Sequence, residues 1–107
     1  MTEGLKFDAD KLRWSLLPDG VIEEVIKVLE YGARKYSEEN WKLVEHAYTR
    51  YYDAAMRHIS AWKQGETVDS ESKQYHLAHA ICCLMFLVWM DENGFKHLQN
   101  QANKELL

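Results

Sequence analysis

The chain has 107 residues, 47% of them apolar and 12% aromatic, enough for the core of one domain and far from the composition of a disordered segment. Thirteen Lys and Arg stand against seventeen Asp and Glu, which excludes a broad basic surface for duplex nucleic acid but leaves local cations for a phosphate-bearing small molecule. No basic-then-apolar leader is legible and the longest apolar run is well short of the roughly 20 residues of a membrane span, so a cytoplasmic protein without membrane contact is expected.

One proline, five glycines and almost no β-branched alternation predict an all-α fold in a single domain over 1–107. Residues 1–17 read as an irregular arm whose Phe7, Trp14, Leu16 and Leu17 are apolar enough to require docking. A first helix is expected over Val21–Lys35, with Asp19 as its N-cap and Glu23/Lys27 and Glu30/Arg34 as i,i+4 pairs on a solvated face. Glu24 is different, because it shares the side of Val21, Val25 and Val28, where a carboxylate is expensive without a cationic partner. After the polar connection Tyr36 to Trp41, a second helix is expected over Ala47–Lys63, with Tyr48, Tyr52, Ala55, Ile59 and Trp62 as its buried stripe and Gly65 as its stop. Arg57 and His58 flank that stripe. The loop Glu66 to Ser72 is dense in carboxylates and hydroxyls, with Asp69 or Ser70 placed to cap the next helix. That helix, Tyr75 to Trp89, is apolar on every side from Ala80 and so forms the centre of the fold. Cys82 and Cys83 leave it about 100° apart and are expected as reduced, buried thiols. The tail, 95–107, is expected as a short amphipathic helix with Phe95, Leu98 and Leu106 packed on a neighbour.

His76 and His79 lie i,i+3, about 60° apart on one face at the mouth of the apolar helix. Facing helices that project carboxylates and imidazoles inward build metal sites in bundles, which sets Glu24 and the acidic loop beside the two histidines. Mixed Glu/His ligation suits Mn, Fe, Co or Zn, and an all-oxygen set suits Mg. Such an ion bridges phosphate oxygens and lowers the pKa of a bound water. Lys11, Arg13, Lys35 and Arg57 are the cations available for phosphate charge, and Tyr36, Asn40 and Trp41 offer stacking and hydrogen bonds to a base. Each has a structural alternative: core histidines, a Glu24 that snorkels or pairs with Lys35, and a Trp41 that lids the core.

The ordered set Lys6-Phe7-Asp8, Lys11-Leu12-Arg13, Leu16-Leu17-Pro18, Glu23-Glu24-Val25, Gly32-Ala33-Arg34-Lys35-Tyr36, Asn40-Trp41, Arg57-His58, Trp62, Gly65-Glu66, Asp69-Ser70-Glu71-Ser72 and His76-Leu77-Ala78-His79-Ala80 resembles the phage dATP/dGTP diphosphohydrolase family, over roughly residues 5–90. That family looks related to the MazG-like all-α nucleoside triphosphate pyrophosphohydrolases, whose signature is an ExxE on one helix and an ExxD opening a later apolar helix. Here Glu24 stands at one carboxylate of the first pair, Lys27 occupies the other, and His76 and His79 occupy the ExxD positions, with Glu23, Glu66, Asp69 and Glu71 near enough in sequence to complete a shell.

The resemblance implies a MazG-like helical bundle completed by oligomerisation, and hydrolysis of a purine deoxynucleoside triphosphate, dATP or dGTP, to the monophosphate and pyrophosphate. In a phage this serves nucleotide-pool control or modified-purine synthesis in the host cytoplasm. It implies a divalent metal, Mn or Mg with Co or Zn as alternatives, on Glu24, His76, His79 and Asp69. Glu24, Lys35 and Arg57 become catalytic, and Lys11, Arg13, Tyr36, Asn40, Trp41 and His58 substrate-binding. A non-catalytic helical protein acting on a host partner is the competing reading, favoured by Lys27 and the HxxH pair. A zinc site on His76, His79 and Cys83 is weaker, since one helix rarely supplies three ligands to a tetrahedral ion, and no His-Asp dipeptide occurs for a hydrolase of that type. An apolar central helix in so short a chain also implies a dimer or tetramer.

Overall fold

A computed structural model describes residues 3–94, which form three helices: α1, Val21–Lys35; α2, Ala47–Lys63; and α3, His76–Glu92. Short 3-10 turns at Trp14–Leu16 and Asn40–Lys42 interrupt the connections. Among the described residues, the isolated bridge between Val68 and Tyr75 is the one β-type pairing, so the fold is all-α as the punctuation predicted. The 95–107 tail lies outside the described residues.

α3 is the axis, packing against both α1 and α2. Val25 and Val28 of α1 meet Ala78 and Cys82 of α3, with Leu29 and Phe86 closing around them. The Cys82 Sγ–H reaches the Val25 carbonyl at 3.5 Å, while Tyr31 approaches His79, so the C-terminal end of α1 lies against the N-terminal end of α3. Small buried residues, Ala47 and Ala55 on α2 and Ala78 and Ala80 on α3, let the helices come close. Both cysteines are free and buried, as expected. α1 carries Glu23 and Glu24 in its first turn and Arg34 and Lys35 in its last, matching the helix dipole.

The spans read from sequence for α1 and α2 are reproduced and α3 runs His76–Glu92 against the expected Tyr75 to Trp89, but four local expectations change. Gly20, left-handed at φ 83, is the N-cap of α1, and Asp19 makes no capping bond. Tyr75 caps α3, because the loop before it closes on itself instead of offering Asp69 or Ser70. The buried stripe of α2 runs one position away from the predicted line: Tyr51, Ala54 and His58 turn inward with Ala55, while Tyr52 and Trp62 face out. A run of aromatic residues at nearly every register lets either stripe look apolar on paper. Lys27 pairs with Glu24 instead of Glu23.

Among the described residues, apolar surface stays uncovered on the arm and on α3, besides Ile22 and Ile26 of α1 and Met56 and Trp62 of α2. The arm does not dock on its own chain, with Phe7 88% and Trp14 75% exposed. On α3, Leu77, Ile81, Leu84, Met85 and Val88 form a single outer stripe, each between 36% and 56% exposed.

Candidate functional site

A cleft of about 880 Å³ opens between the three helices and the connection leading into α2, a volume in the range of small-ligand sites. One end is polar. Tyr31 Oη and Lys35 Nζ, one turn apart on α1, both donate to Glu71 Oε1, at 2.8 and 2.7 Å. Glu71 belongs to a loop that folds back on itself: Asp69 N–H donates to the Gln74 carbonyl and His76 N–H to the Thr67 carbonyl. Lys73 sits in the left-handed region at φ 65, the turn that makes this reversal. The reversal sets Asp69 Oδ2 to accept the Ser72 N–H at 2.8 Å and buries Ser72.

Three imidazoles meet that loop. His58 from α2 stacks on His79 of α3, ring centroids 4.4 Å apart and planes 10° from parallel. Tyr31 presents its edge to the His79 ring. His79 Nε2 stands 2.7 Å from Ser72 Oγ, which in turn accepts the Gln74 N–H at 3.2 Å. The Nδ1 atoms of His58 and His76 are 2.9 Å apart, and ligand atoms of His58, Asp69 and His76 all lie within 4.8 Å of one another. On its other side the buried His76 ring has Glu66 Oε1 3.0 Å from Nε2, an ion-pair distance without a well-aligned hydrogen bond.

The opposite end is aromatic. Trp41 stacks on Phe86 at 4.5 Å and 10° and meets Trp89 edge-on, while Tyr51 packs against Phe86 from α2 and donates its hydroxyl to the Trp41 carbonyl at 3.3 Å. Trp41 therefore lids the core, one of its two expected uses.

Burial, with the adjacent His79 and His76, pushes the His58 imidazole down to about 4, and burial also lowers His79. Asp69 is held below the usual carboxylate range: burial opposes this, but the Ser72 backbone and hydroxyl and the nearby histidines outweigh it. The Lys35 hydrogen bond lowers Glu71, and Glu71 in turn raises Lys35. An unfolded histidine titrates near pH 6.5, so acid protonates the unfolded chain before the folded one. The resulting stability is fully present above about pH 6.5 and is lost as pH falls toward 4. Melts of metal-stripped protein should show a level Tm between about pH 8 and 7 and a falling Tm down to about pH 5. A level Tm throughout would mean that His58 protonates without leaving the fold.

Of the residues singled out from sequence, Lys35, Tyr36, Asn40, Trp41, Arg57, His58, Asp69 and His79 line this cleft, and His76 joins through His58. Glu24 does not: its carboxylate accepts from Lys27 Nζ at 2.9 Å and lies outside the lining. The core position predicted for it is the edge of α1, where Lys27 supplies the cation a half-buried carboxylate needs. Lys11 and Arg13 sit on the exposed arm, apart from the cleft, because the arm has no docking face within the chain. Tyr31 and Ser72 were not foreseen. Tyr31 had a signal, standing four residues before Lys35 on one helix face, whereas Ser72 depends on a loop reversal that spacing does not reveal.

By fold and site this is an all-α helical unit with histidines, carboxylates and cations gathered at one end of a cleft and aromatic rings at the other. The chain belongs to the family described as dATP/dGTP diphosphohydrolase, N-terminal, which matches residues 1–101. It is similar to a dATP/dGTP diphosphohydrolase of Salmonella phage PMBT28, 37% identical over 90 residues that make up 84% of this chain and 30% of that protein. The chain thus spans less than a third of that relative's length. No solved structure matches it. Among the described residues, no helix is long and apolar enough to cross a membrane.

Proposed function

We propose that the cleft hydrolyses purine deoxynucleoside triphosphates, dATP or dGTP, between the α- and β-phosphates, releasing the monophosphate and pyrophosphate for phage nucleotide-pool control or modified-purine synthesis. The observation that carries this is the division of one cleft into a cationic, imidazole-rich end and an aromatic end, the two chemistries a nucleotide presents. Family membership and the relative's name support the same reading.

In this reading Lys35 and Arg57 hold phosphate oxygens. The Lys35 ammonium has three donors and spends one on Glu71, leaving others for substrate. Water attacks the α-phosphorus as the bond to the β-bridging oxygen breaks, and the charge growing on pyrophosphate falls to these two cations. Tyr36, Asn40 and the face of the Trp41 layer receive the base. A divalent ion fits the donor set of His58, Asp69 and His76, with His79 beside it, and supplies polarisation of phosphate oxygens and a more acidic water when bound. Glu24, tied to Lys27, takes no part.

The test is pyrophosphate release from metal-stripped protein with each of the four dNTPs and ATP, adding back Mg, Mn, Co or Zn singly. Metal-dependent turnover of dATP or dGTP, giving monophosphate and pyrophosphate, is expected. Folded protein inactive with every metal would move the reading to a non-catalytic binding protein, the alternative that Lys27 at an ExxE position favours.

We further propose that a second copy of the chain covers the outer stripe of α3, completing the bundle as a homodimer or a tetramer built from it. Support comes from the spacing of Leu77, Ile81, Leu84 and Val88, which repeats along one face and is complementary to itself across a two-fold axis.

A further inference from the structure

We infer that His58, His76 and Asp69 form a nitrogen-rich centre for a first-row transition-metal ion in preference to Mg, and that Glu66 is the positioning residue that holds His76 in its ligating tautomer. This deepens the proposed hydrolase reading and depends on it only for the use to which the ion is put.

Proton placement is the first argument. His76 is 95% buried by its 5% exposure, and the Glu66 carboxylate, which only accepts, stands 3.0 Å from its Nε2. Nε2 must therefore carry the ring proton, since two acceptors at that distance repel. His76 Nδ1 is then the acceptor of the 2.9 Å contact and His58 Nδ1–H the donor, and an ion taken up between them replaces that one shared proton. A carboxylate at ion-pair distance from one ring nitrogen, short of an aligned hydrogen bond, stands where the outer support of a metal-bound histidine stands.

Spacing is the second. Two ligands bound about 2.1 Å from one ion at a right angle stand about 3 Å apart, close to the observed 2.9 Å. Asp69 supplies an anionic oxygen within the same 4.8 Å sphere. Preorganisation is the third: the His58 ring is clamped against His79, whose own Nε2 is engaged by Ser72, so His79 serves as a platform. Mg is poorly served by two imidazoles, whereas Mn, Fe, Co and Zn accept them.

Cobalt alone tests this without nucleotide. Metal-stripped wild-type protein titrated with Co²⁺ should develop visible d–d bands that saturate at one ion per chain and persist in excess Mg²⁺. His58→Ala should weaken Co²⁺ binding by more than about 100-fold, and Glu66→Gln, at an exposed carboxylate, by about 10- to 100-fold with an unchanged melting temperature of the stripped protein. Wild-type bands no stronger than those of His58→Ala, displacement by an equal concentration of Mg²⁺, or full affinity in Glu66→Gln would each overturn the assignment. Pyrophosphate release reads the hydrolase proposal separately, so a protein that binds Co²⁺ yet turns over no nucleotide refutes that proposal and leaves this one standing.

Discussion

Asp69→Asn should lower kcat/KM for dATP or dGTP by at least about 100-fold, equivalent to about 2.7 kcal/mol of transition-state stabilisation, while leaving the fold in place. The substitution separates two jobs of one side chain. Its amide oxygen still accepts the Ser72 N–H that Asp69 Oδ2 accepts at 2.8 Å, so the loop keeps its reversal. What disappears is the negative charge beside His58 and His76. Circular dichroism and melting temperature check the first half, and pyrophosphate release with saturating metal checks the second. Full activity in a folded Asp69→Asn protein would remove the carboxylate from the reaction.

A comparable loss should follow at the outer face of α3. Leu84→Glu is expected to weaken self-association by at least about 100-fold, because a carboxylate placed opposite its own symmetry mate loses the apolar contribution of about 1.5–3 kcal/mol per leucine and adds like-charge repulsion. Sedimentation across the micromolar range should show oligomeric wild type and monomeric variant. Leu84 is about half exposed in the single chain, so the helix itself should survive the change. Wild-type protein that is monomeric throughout would leave the stripe without its proposed cover.

The two proposals meet in what sequence could and could not reveal. The spans of α1 and α2 were legible because each has one amphipathic period and a glycine near a boundary, Gly20 before α1 and Gly65 after α2. The face of α2 was not, since Tyr48, Tyr51, Tyr52, Ile59 and Trp62 place large side chains at competing registers and only packing against α3 chooses between them. Similarly, His76 and His79 were visible as an i,i+3 pair, but their division of labour was not. Glu66 and His58 reach His76 while Ser72 reaches His79, and all three come from outside α3. Glu24 stands apart from the cleft for a simpler reason: periodicity assigns a direction, and it does not tell a core from the rim beside it, where Lys27 lies within reach.

The cleft is held at its two ends by different kinds of force. At the polar end, Lys35 and Tyr31 grip an exposed Glu71 carboxylate, an attachment that salt screens and acid removes. At the far end Trp41, Phe86 and Tyr51 are joined by ring contact, which neither ionic strength nor protonation touches. The walls consequently fail under different stresses. Acid or concentrated salt should therefore loosen the Glu71 attachment at the polar end while the stacked rings at the other end keep their contacts.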